Sequence, residues 1–497
     1  MLIAHDLGTS GNKASLHTDQ GRLIASVTVS YGAHFAAGGV AEQDPDDWWS
    51  AVVEATRTLL DESKVDPSAV EGLVVSGQMM GAVLLDSAYE PVRPAIIWAD
   101  TRSAKQAARL GDILGREYAY SLLGHRLDPT YSVEKVMWVR DEEPDIFSRV
   151  RHVAQAKDYV VHRLTGRLAT DRSDASGTNA YDQKAGTWSS EVLDAAGLDR
   201  ALFPQILEST DVVGPVTAAA AELLGLPRSA RVVMGGGDGP IAAVGAAVVA
   251  PEDGAYVSLG TSSWISFASA TPVHDPAMST FTFDHVVPSM YVPTATMQAG
   301  GASIAWINEV LSPDPARPDV AGLIADSDGV RDDTAGLYFL PYLLGERSPW
   351  WNADARAAFI GLSRHHGRAH LTRAVLEGVA FNLFSCIQAF RAAGANLDNI
   401  DAIGGAAASD SVLQLLADVW GVPVRRRTVV GEANSLGAAV TGAVGLGLAE
   451  FSAARDLSEV VAEFVPTADR HGEYVRRHAE FVDAYQALEP WFAKGSR

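Results

Sequence analysis

Leu2-Ile3-Ala4-His5-Asp6-Leu7-Gly8-Thr9-Ser10 stands at the head of the chain. Its last four residues return as Leu259-Gly260-Thr261-Ser262 after a second apolar run, Ala255-Tyr256-Val257-Ser258. Each copy leads into another strand-like run, Lys13-Ala14-Ser15-Leu16-His17 in the first and Trp264-Ile265-Ser266-Phe267 in the second. The pattern predicts strand, small polar turn, strand, twice over. Consecutive backbone N–H groups of such a turn can converge on an anion, and the Thr and Ser hydroxyls add donors at the same point, so the ligand this favours is a polyphosphate. One Gly-Thr-Ser alone is ordinary turn composition. The functional reading is carried by the duplication and by Asp6, two residues before the first glycine, where it can reach a metal bridging phosphates. Ser258 fills that place in the second copy, so the halves are alike but not equivalent.

A chain of 497 residues exceeds one ordinary core, and two domains or more are expected. Asp and Glu number 61 against 39 Lys and Arg, a net charge of −22 with no basic stripe. Electrostatic binding to nucleic acid or to an anionic membrane is therefore not expected, and the expected partner is small or absent. Cys386 is the single cysteine, so no intrachain disulfide can form, and its apolar helical surroundings predict a buried, inert thiol. The chain enters directly into a strand without signal-peptide features, and no apolar run reaches membrane-spanning length. A soluble, cytoplasmic protein is expected.

Along the first half, strand and helix patterns alternate. A hairpin is expected around Asp19-Gln20-Gly21, then a helix from about Asp46 with Trp49, Val52, Val53 and Leu60 on its apolar face and Asp44-Pro45 as cap and first turn. Short buried strands at Leu73-Val74-Val75 and Ala82-Val83-Leu84-Leu85 flank Gly77-Gln78-Met79-Met80-Gly81, a connecting turn of the kind that faces clefts. The strand Arg231-Val232-Val233-Met234 runs into Gly235-Gly236-Gly237-Asp238-Gly239-Pro240 and a small-residue helix over 241–249. Pro251-Glu252-Asp253-Gly254 is the best boundary. The expected division is 1–250, 251–445 and a helical tail over 446–497 packed on the second domain, with one amphipathic helix from about Arg470.

Asp238 is the leading candidate for chemistry. It follows three glycines at the carboxyl end of a strand and precedes a helix, where α/β sheets present ligand-contacting groups. A carboxylate held there can take a proton from an attacking hydroxyl; the competing reading is that it caps the following helix. A dinucleotide fold is disfavoured, because these glycines are followed by no suitably placed ribose-binding acid.

Asp6-Leu7-Gly8-Thr9-Ser10, Gly77-Gln78-Met79-Met80-Gly81, Trp98-Ala99-Asp100-Thr101-Arg102, Gly235-Gly236-Gly237-Asp238, Ser258-Leu259-Gly260-Thr261-Ser262, Pro341-Tyr342-Leu343-Leu344-Gly345-Glu346-Arg347 and Gly404-Gly405-Ala406 occur in order. In these the chain resembles the FGGY carbohydrate kinases, with xylulokinases nearest, over residues 1–445. The resemblance implies an α/β fold of two actin-like, ribonuclease-H-like domains flanking a central cleft for nucleotide and sugar. It implies ATP and Mg²⁺ as cofactors. Gly8, Thr9, Ser10 and Lys13 would approach the phosphates from the first domain and Gly260, Thr261 and Ser262 from the second, with Gly301, Gly405 and Ser409 lining the nucleoside. Asp6 would hold the metal, and Asp238 matches the catalytic base. Gln78, Met79, Met80, Asp100, Arg102, Asp238 and Gly239 are the expected acceptor contacts, although Asp100–Arg102 reads equally as a structural ion pair. Glu346-Arg347 reads as a domain-positioning salt bridge.

Two departures bear on the acceptor. Xylulokinases usually carry Met-His where Met79-Met80 stands and Asp-Asn where Asp238-Gly239 stands; glycerol kinases place Arg-Glu and Gln there. Thioether and glycine cannot replace an imidazole and an amide as hydrogen-bond partners. The expected activity is ATP-dependent phosphorylation of a terminal hydroxyl of a small sugar, foremost a pentulose such as D-xylulose. The alternative is a kinase for gluconate or a polyol such as xylitol, and the remote alternative is a non-catalytic actin-like nucleotide switch. Closure of the domains on the sugar would exclude water, and kinship with often-dimeric kinases allows a homodimer.

Overall fold

The computed structural model describes residues 1–312, 319–330, 334, 336–428 and 431–495. Two mixed sheets dominate. The first is built from β1 (Leu2–Leu7), β2 (Gly11–His17), β3 (Leu23–Ser30), β4 (Gly72–Gly77), β5 (Val212–Pro215) and β6 (Arg231–Gly237), in the order β5-β6-β4-β1-β2-β3. The second contains β7 (Ala255–Leu259), β8 (Ser263–Phe267), β9 (Phe281–Asp284), β10 (Tyr291–Met297), β11 (Ile400–Ile403), β12 (Val424–Arg427) and β13 (Val460–Phe464), in the order β9-β10-β8-β7-β11-β12-β13.

The two Leu-Gly-Thr-Ser copies occupy equivalent places. β1 pairs antiparallel with β2 on one side and parallel with β4 on the other; β7 pairs antiparallel with β8 and parallel with β11. Each sheet extends by one more parallel strand, β6 or β12, and closes on an antiparallel edge, β5 or β13. The duplication in sequence is thus a duplication of topology. β13 corrects one expectation: residues 446–497 are not purely helical, because this segment supplies the edge of the second sheet before its long helix.

α1 (Pro45–Ser63) starts where the sequence signals it, with the Asp44 side chain accepting from Asp46 N (3.0 Å) and proline at the first position. Trp48, Val52, Ala55 and Leu59 are buried at helical spacing against the first sheet. Later helices include α2 (Ala156–Thr165), α3 (Asp238–Gly245), α4 (Gly300–Leu311), α5 (Arg368–Ala392), α6 (Asp410–Trp420), α7 (Ala433–Gly445) and α8 (Ala468–Gly495), of which α3, α5 and α7 are buried over most of their circumference. Cys386 is buried on α5, where burial raises its thiol pKa well above the usual value. α8 lays Tyr474, Phe481, Tyr485 and Phe492 into the core of the second sheet. No helix among the described residues is long and apolar enough to cross a membrane.

α3 and α7 form the layer between the sheets. Ile241 and Val244 of α3 pack with Ala438, Ala439 and Val440 of α7 against Leu2, Ala4, Val74 and Val233 of the first sheet. Ala242, Ala243 and Ala246 face Tyr256 and Ile403 of the second. So α7, late in the chain, rests on the first sheet. The crossing is closer than any β-carbon permits: one added at Gly437 would lie 2.0 Å from the Ile241 carbonyl oxygen, and one at Gly245 would lie 1.8 Å from that of Ala433. Gly437→Val should therefore cost about 3 kcal/mol or more by forcing the helices apart. A urea-unfolding midpoint indistinguishable from wild type would contradict this packing.

Candidate active site

Strand register gathers the candidate residues at one sheet edge. Asp6 pairs with Ser76 and Ser76 with Gly236; one step on, Leu7, Gly77 and Gly237 align. The next residues of the three strands are Gly8, Gln78 and Asp238, at the carboxyl ends where α/β folds bind ligands. The glycines permit this convergence: a β-carbon on Gly237 would lie 2.4 Å from the Met79 sulfur.

Asp238 is the first residue of α3, with Gly237 as the cap, so capping does not explain its carboxylate. One oxygen accepts from Gly239 N at 2.8 Å. Burial, then the nearby charge of Asp6, raises its pKa to about 7, a value suited to proton abstraction near neutrality. Tyr256 donates to the Gly239 carbonyl (3.1 Å) and accepts from Trp264 Nε1 (2.9 Å), so the second half braces the turn that carries Asp238.

A cavity of about 260 Å³ is lined by Asp238, Gly239, Met79, Met80, Thr9, Trp98, Ser262, Trp264, Phe281, Phe283, Thr296, Gln298, Arg347 and Asn434, among others. Met80 has a left-handed backbone (φ 65°), an uncommon state for its residue type and one that clusters at functional sites. A second cavity of about 1000 Å³ is lined by Gly260, Thr261, Gly301, Gly405 and Ser409, with Ile304, Trp306, Ile324 and Ala406 as apolar wall. The second turn joins the two cavities, since Ser262 faces the first while Gly260 and Thr261 face the other. Gly301 N donates to Gly260 O (2.8 Å), an approach that leaves no room for a β-carbon at 301.

In the first turn, Tyr31 donates to the Gly8 carbonyl (2.6 Å) and Gln43 Nε2 to that of Thr9 (2.7 Å). The Thr9 hydroxyl oxygen accepts from Trp98 Nε1 at 3.0 Å, which leaves its proton for a ligand. Gly8 N is spent on Gly11 O, and Ser10 is exposed. Lys13, expected on the phosphates, is ion-paired with Glu432 at 2.6 Å. Asp6 is half-buried, its pKa raised by burial, with Asn434 Nδ2 at 3.5 Å from one oxygen.

Three expected acceptor contacts lie elsewhere. Gln78 is buried and donates to Gln43 Oε1 (2.7 Å), bracing the first Gly-Thr-Ser turn through Gln43. Asp100 accepts from Ala41 N and Arg102, and Arg102 also pairs with Glu42 and stacks over Trp138 at 4.3 Å, so this pair is structural. None of the three is among the cavity's lining residues. Glu346 and Arg347 are not salt-bridged to each other: the Glu346 carboxylate accepts from Gln298 N (2.8 Å), Arg347 N (2.8 Å) and Asn382 Nδ2 (3.0 Å), while the Arg347 guanidinium turns to the cavity. Asn434, Phe281 and Phe283 are residues sequence reasoning missed, and Arg347 is one it read only as part of a salt bridge. Phe281 and Phe283 sit on β9, which the first half holds through Thr282 N to Gly124 O (2.9 Å) and Asp284 N to Ser176 Oγ (3.0 Å).

Residues 1–245 match the N-terminal domain of the FGGY family of carbohydrate kinases, and residues 255–446 match its C-terminal domain. The chain belongs to that family. It is therefore a sugar kinase, a phosphotransferase. It is 33% identical to the xylulose kinase of Escherichia coli over 501 residues, covering 99% of this chain and 100% of the relative. Among solved structures it is similar to a ligand-bound xylulose kinase and to a gluconate kinase, both from Lactobacillus acidophilus. Each has a TM-score of 0.92 at 28% identity, with 99% of both chains covered. The kinase thus has the two-domain actin-like, ribonuclease-H-like fold of those neighbours.

Proposed function

We propose that this kinase, a cytoplasmic enzyme of two lobes meeting near residue 250, transfers the γ-phosphoryl of ATP to a terminal hydroxyl of a pentulose such as D-xylulose. The observation that carries this reading is the placement of Asp238 in a sugar-sized cavity between the two Gly-Thr-Ser turns, one of which also lines the larger cavity. That larger cavity, with its apolar wall and its closely approached Gly301 and Gly405, takes the nucleoside. Asp238 orients the acceptor hydroxyl and accepts its proton as the oxygen attacks phosphorus. Thr9, Ser10, Thr261 and Ser262 donate to the phosphates, so catalysis is mainly positioning and charge stabilisation.

The residues at Asp6 fit Mg²⁺. Its carboxylate and that of Asp238 are hard oxygen donors, and the Asp6 charge is close enough to raise the proton affinity of Asp238, a repulsion that a divalent cation relieves. Bound there, Mg²⁺ would neutralise phosphate charge. Asp6, with Asn434 beside it, would hold it.

Met80 and Gly239 favour a second reading, an aldonate such as gluconate or a polyol such as xylitol as acceptor. Steady-state ADP release across ketoses, aldonates and polyols tests both. In the Met80→His/Gly239→Asn variant, kcat/KM for D-xylulose should rise about tenfold, the worth of one to two net hydrogen bonds; histidine also tolerates the left-handed backbone at position 80. A folded double variant with unchanged kcat/KM would place the acceptor's polar contacts on other residues.

A further inference from the structure

Resting on the acceptor reading of the 260 Å³ cavity, we infer that Arg347 is its specificity-determining residue, binding a trigonal oxygen of the acceptor: a ketone with its neighbouring hydroxyl, or a carboxylate. Glu346 and Arg347 are adjacent in sequence, yet the carboxylate is spent on two backbone N–H groups and Asn382. Arg347 has no carboxylate within ion-pair distance among the described residues. Its Nε and Nη2 are buried and make no hydrogen bond of good geometry among the described residues, with the Tyr131 hydroxyl the polar group that interacts with the guanidinium. These two atoms form one edge of the guanidinium, the edge that grips two oxygens side by side.

Aromatic rings flank that fork. The guanidinium lies 5.3 Å from the Phe281 ring centroid and 5.5 Å from that of Trp351, and the Tyr131 hydroxyl beside it is engaged by His125 Nδ1 at 2.9 Å. The surrounding wall of Met79, Met80, Phe281 and Phe283 supplies apolar contact. Donors buried without partners are costly, and a ligand that supplies paired oxygens recovers that cost. A carbonyl or carboxylate does so better than the lone hydroxyls of a polyol. The cavity should therefore distinguish acceptors by oxidation state at the end that meets Arg347.

The test compares D-xylulose, D-xylonate and xylitol as acceptors for wild type, Arg347→Met and Arg347→Lys, with ATP affinity and Tm as controls of folding. Wild type should show KM for xylulose or xylonate at least tenfold below that for xylitol. Arg347→Met should raise the lower value tenfold or more while leaving kcat, ATP affinity and the xylitol KM within threefold. Arg347→Lys keeps the charge but loses the fork, so it should recover only part of the effect. Equal losses for all three acceptors, or no change for any, overturn the inference. If none is phosphorylated, the pentulose reading fails by itself, and calorimetric titration with xylonate decides about Arg347. Binding lost in Arg347→Met upholds its role, and binding that is absent in wild type or unaffected by the substitution overturns it.

Discussion

Asp238→Asn lowers acceptor-dependent ADP formation by about 10³-fold while nucleotide binding stays near wild type, because the substitution removes one proton acceptor at near-constant shape. The first residue of α3 contributes little to packing: Asp238 is half-buried, and among the described residues the donor to its carboxylate is the N–H of the next residue. The wild-type rate has its own signature. Burial and Asp6 hold the Asp238 pKa at about 7, so kcat/KM for the acceptor should fall as pH drops through that value and the carboxyl acquires a proton. Raising Mg²⁺ should move this acid limb to lower pH, since a cation beside Asp6 favours the ionised form. Calorimetric ATP titration beside steady-state kinetics makes the comparison, and an Asn variant retaining a tenth of wild-type kcat would remove Asp238 from the reaction.

Lys157→Met should destabilise the protein by about 3–5 kcal/mol, the usual cost of leaving buried charges without their partner. Lys157 on α2 is fully buried, and its ammonium reaches Asp158 at 2.7 Å, Asp171 at 3.1 Å and Asp174 at 3.3 Å, all three buried too. One cation among three carboxylates already leaves excess negative charge. Burial pushes the Asp174 carboxyl well above the ordinary carboxylate range, against the pull of the Lys157 charge. The cluster also supports the active site. Asp171 accepts from Ser173 N (2.9 Å) and Ser209 Oγ (2.7 Å), and Ser173 Oγ accepts from Gly237 N (3.0 Å), directly before Asp238. The Lys157 backbone lies against Gly77, which leads into Met79 and Met80. Chemical unfolding should show the lower midpoint, with reduced kcat in the folded fraction; a loss under about 1 kcal/mol would mean the carboxylates neutralise themselves by protonation.

How much of this was legible in the sequence depends on the range of the contacts involved. The two Leu-Gly-Thr-Ser turns, the α1 cap at Asp44 and the strand leading to Asp238 are local patterns, and each forms where its residues indicate. β13 escaped notice because its side chains are largely exposed at a sheet edge and show no buried face. Asn434 meets Asp6 across 428 positions of sequence, a proximity no local pattern encodes. Gln78, Asp100 and Arg102 are polar residues in motifs that border the cleft, yet tertiary packing turns them to Gln43, Ala41 and Glu42. For Glu346 and Arg347 the error lay in assuming that adjacent opposite charges pair; backbone N–H groups claim the carboxylate, leaving the guanidinium to the cavity.

The most direct test measures ADP and phosphorylated product together, with and without acceptor, across ketoses, aldonates and polyols. ADP should form only with an acceptor, in equal amount to a product phosphorylated on its terminal hydroxyl, and both should vanish in Asp238→Asn. ATP hydrolysis that proceeds alike with and without every acceptor, and is indifferent to Asp238, would contradict the assignment and leave an actin-like nucleotide switch.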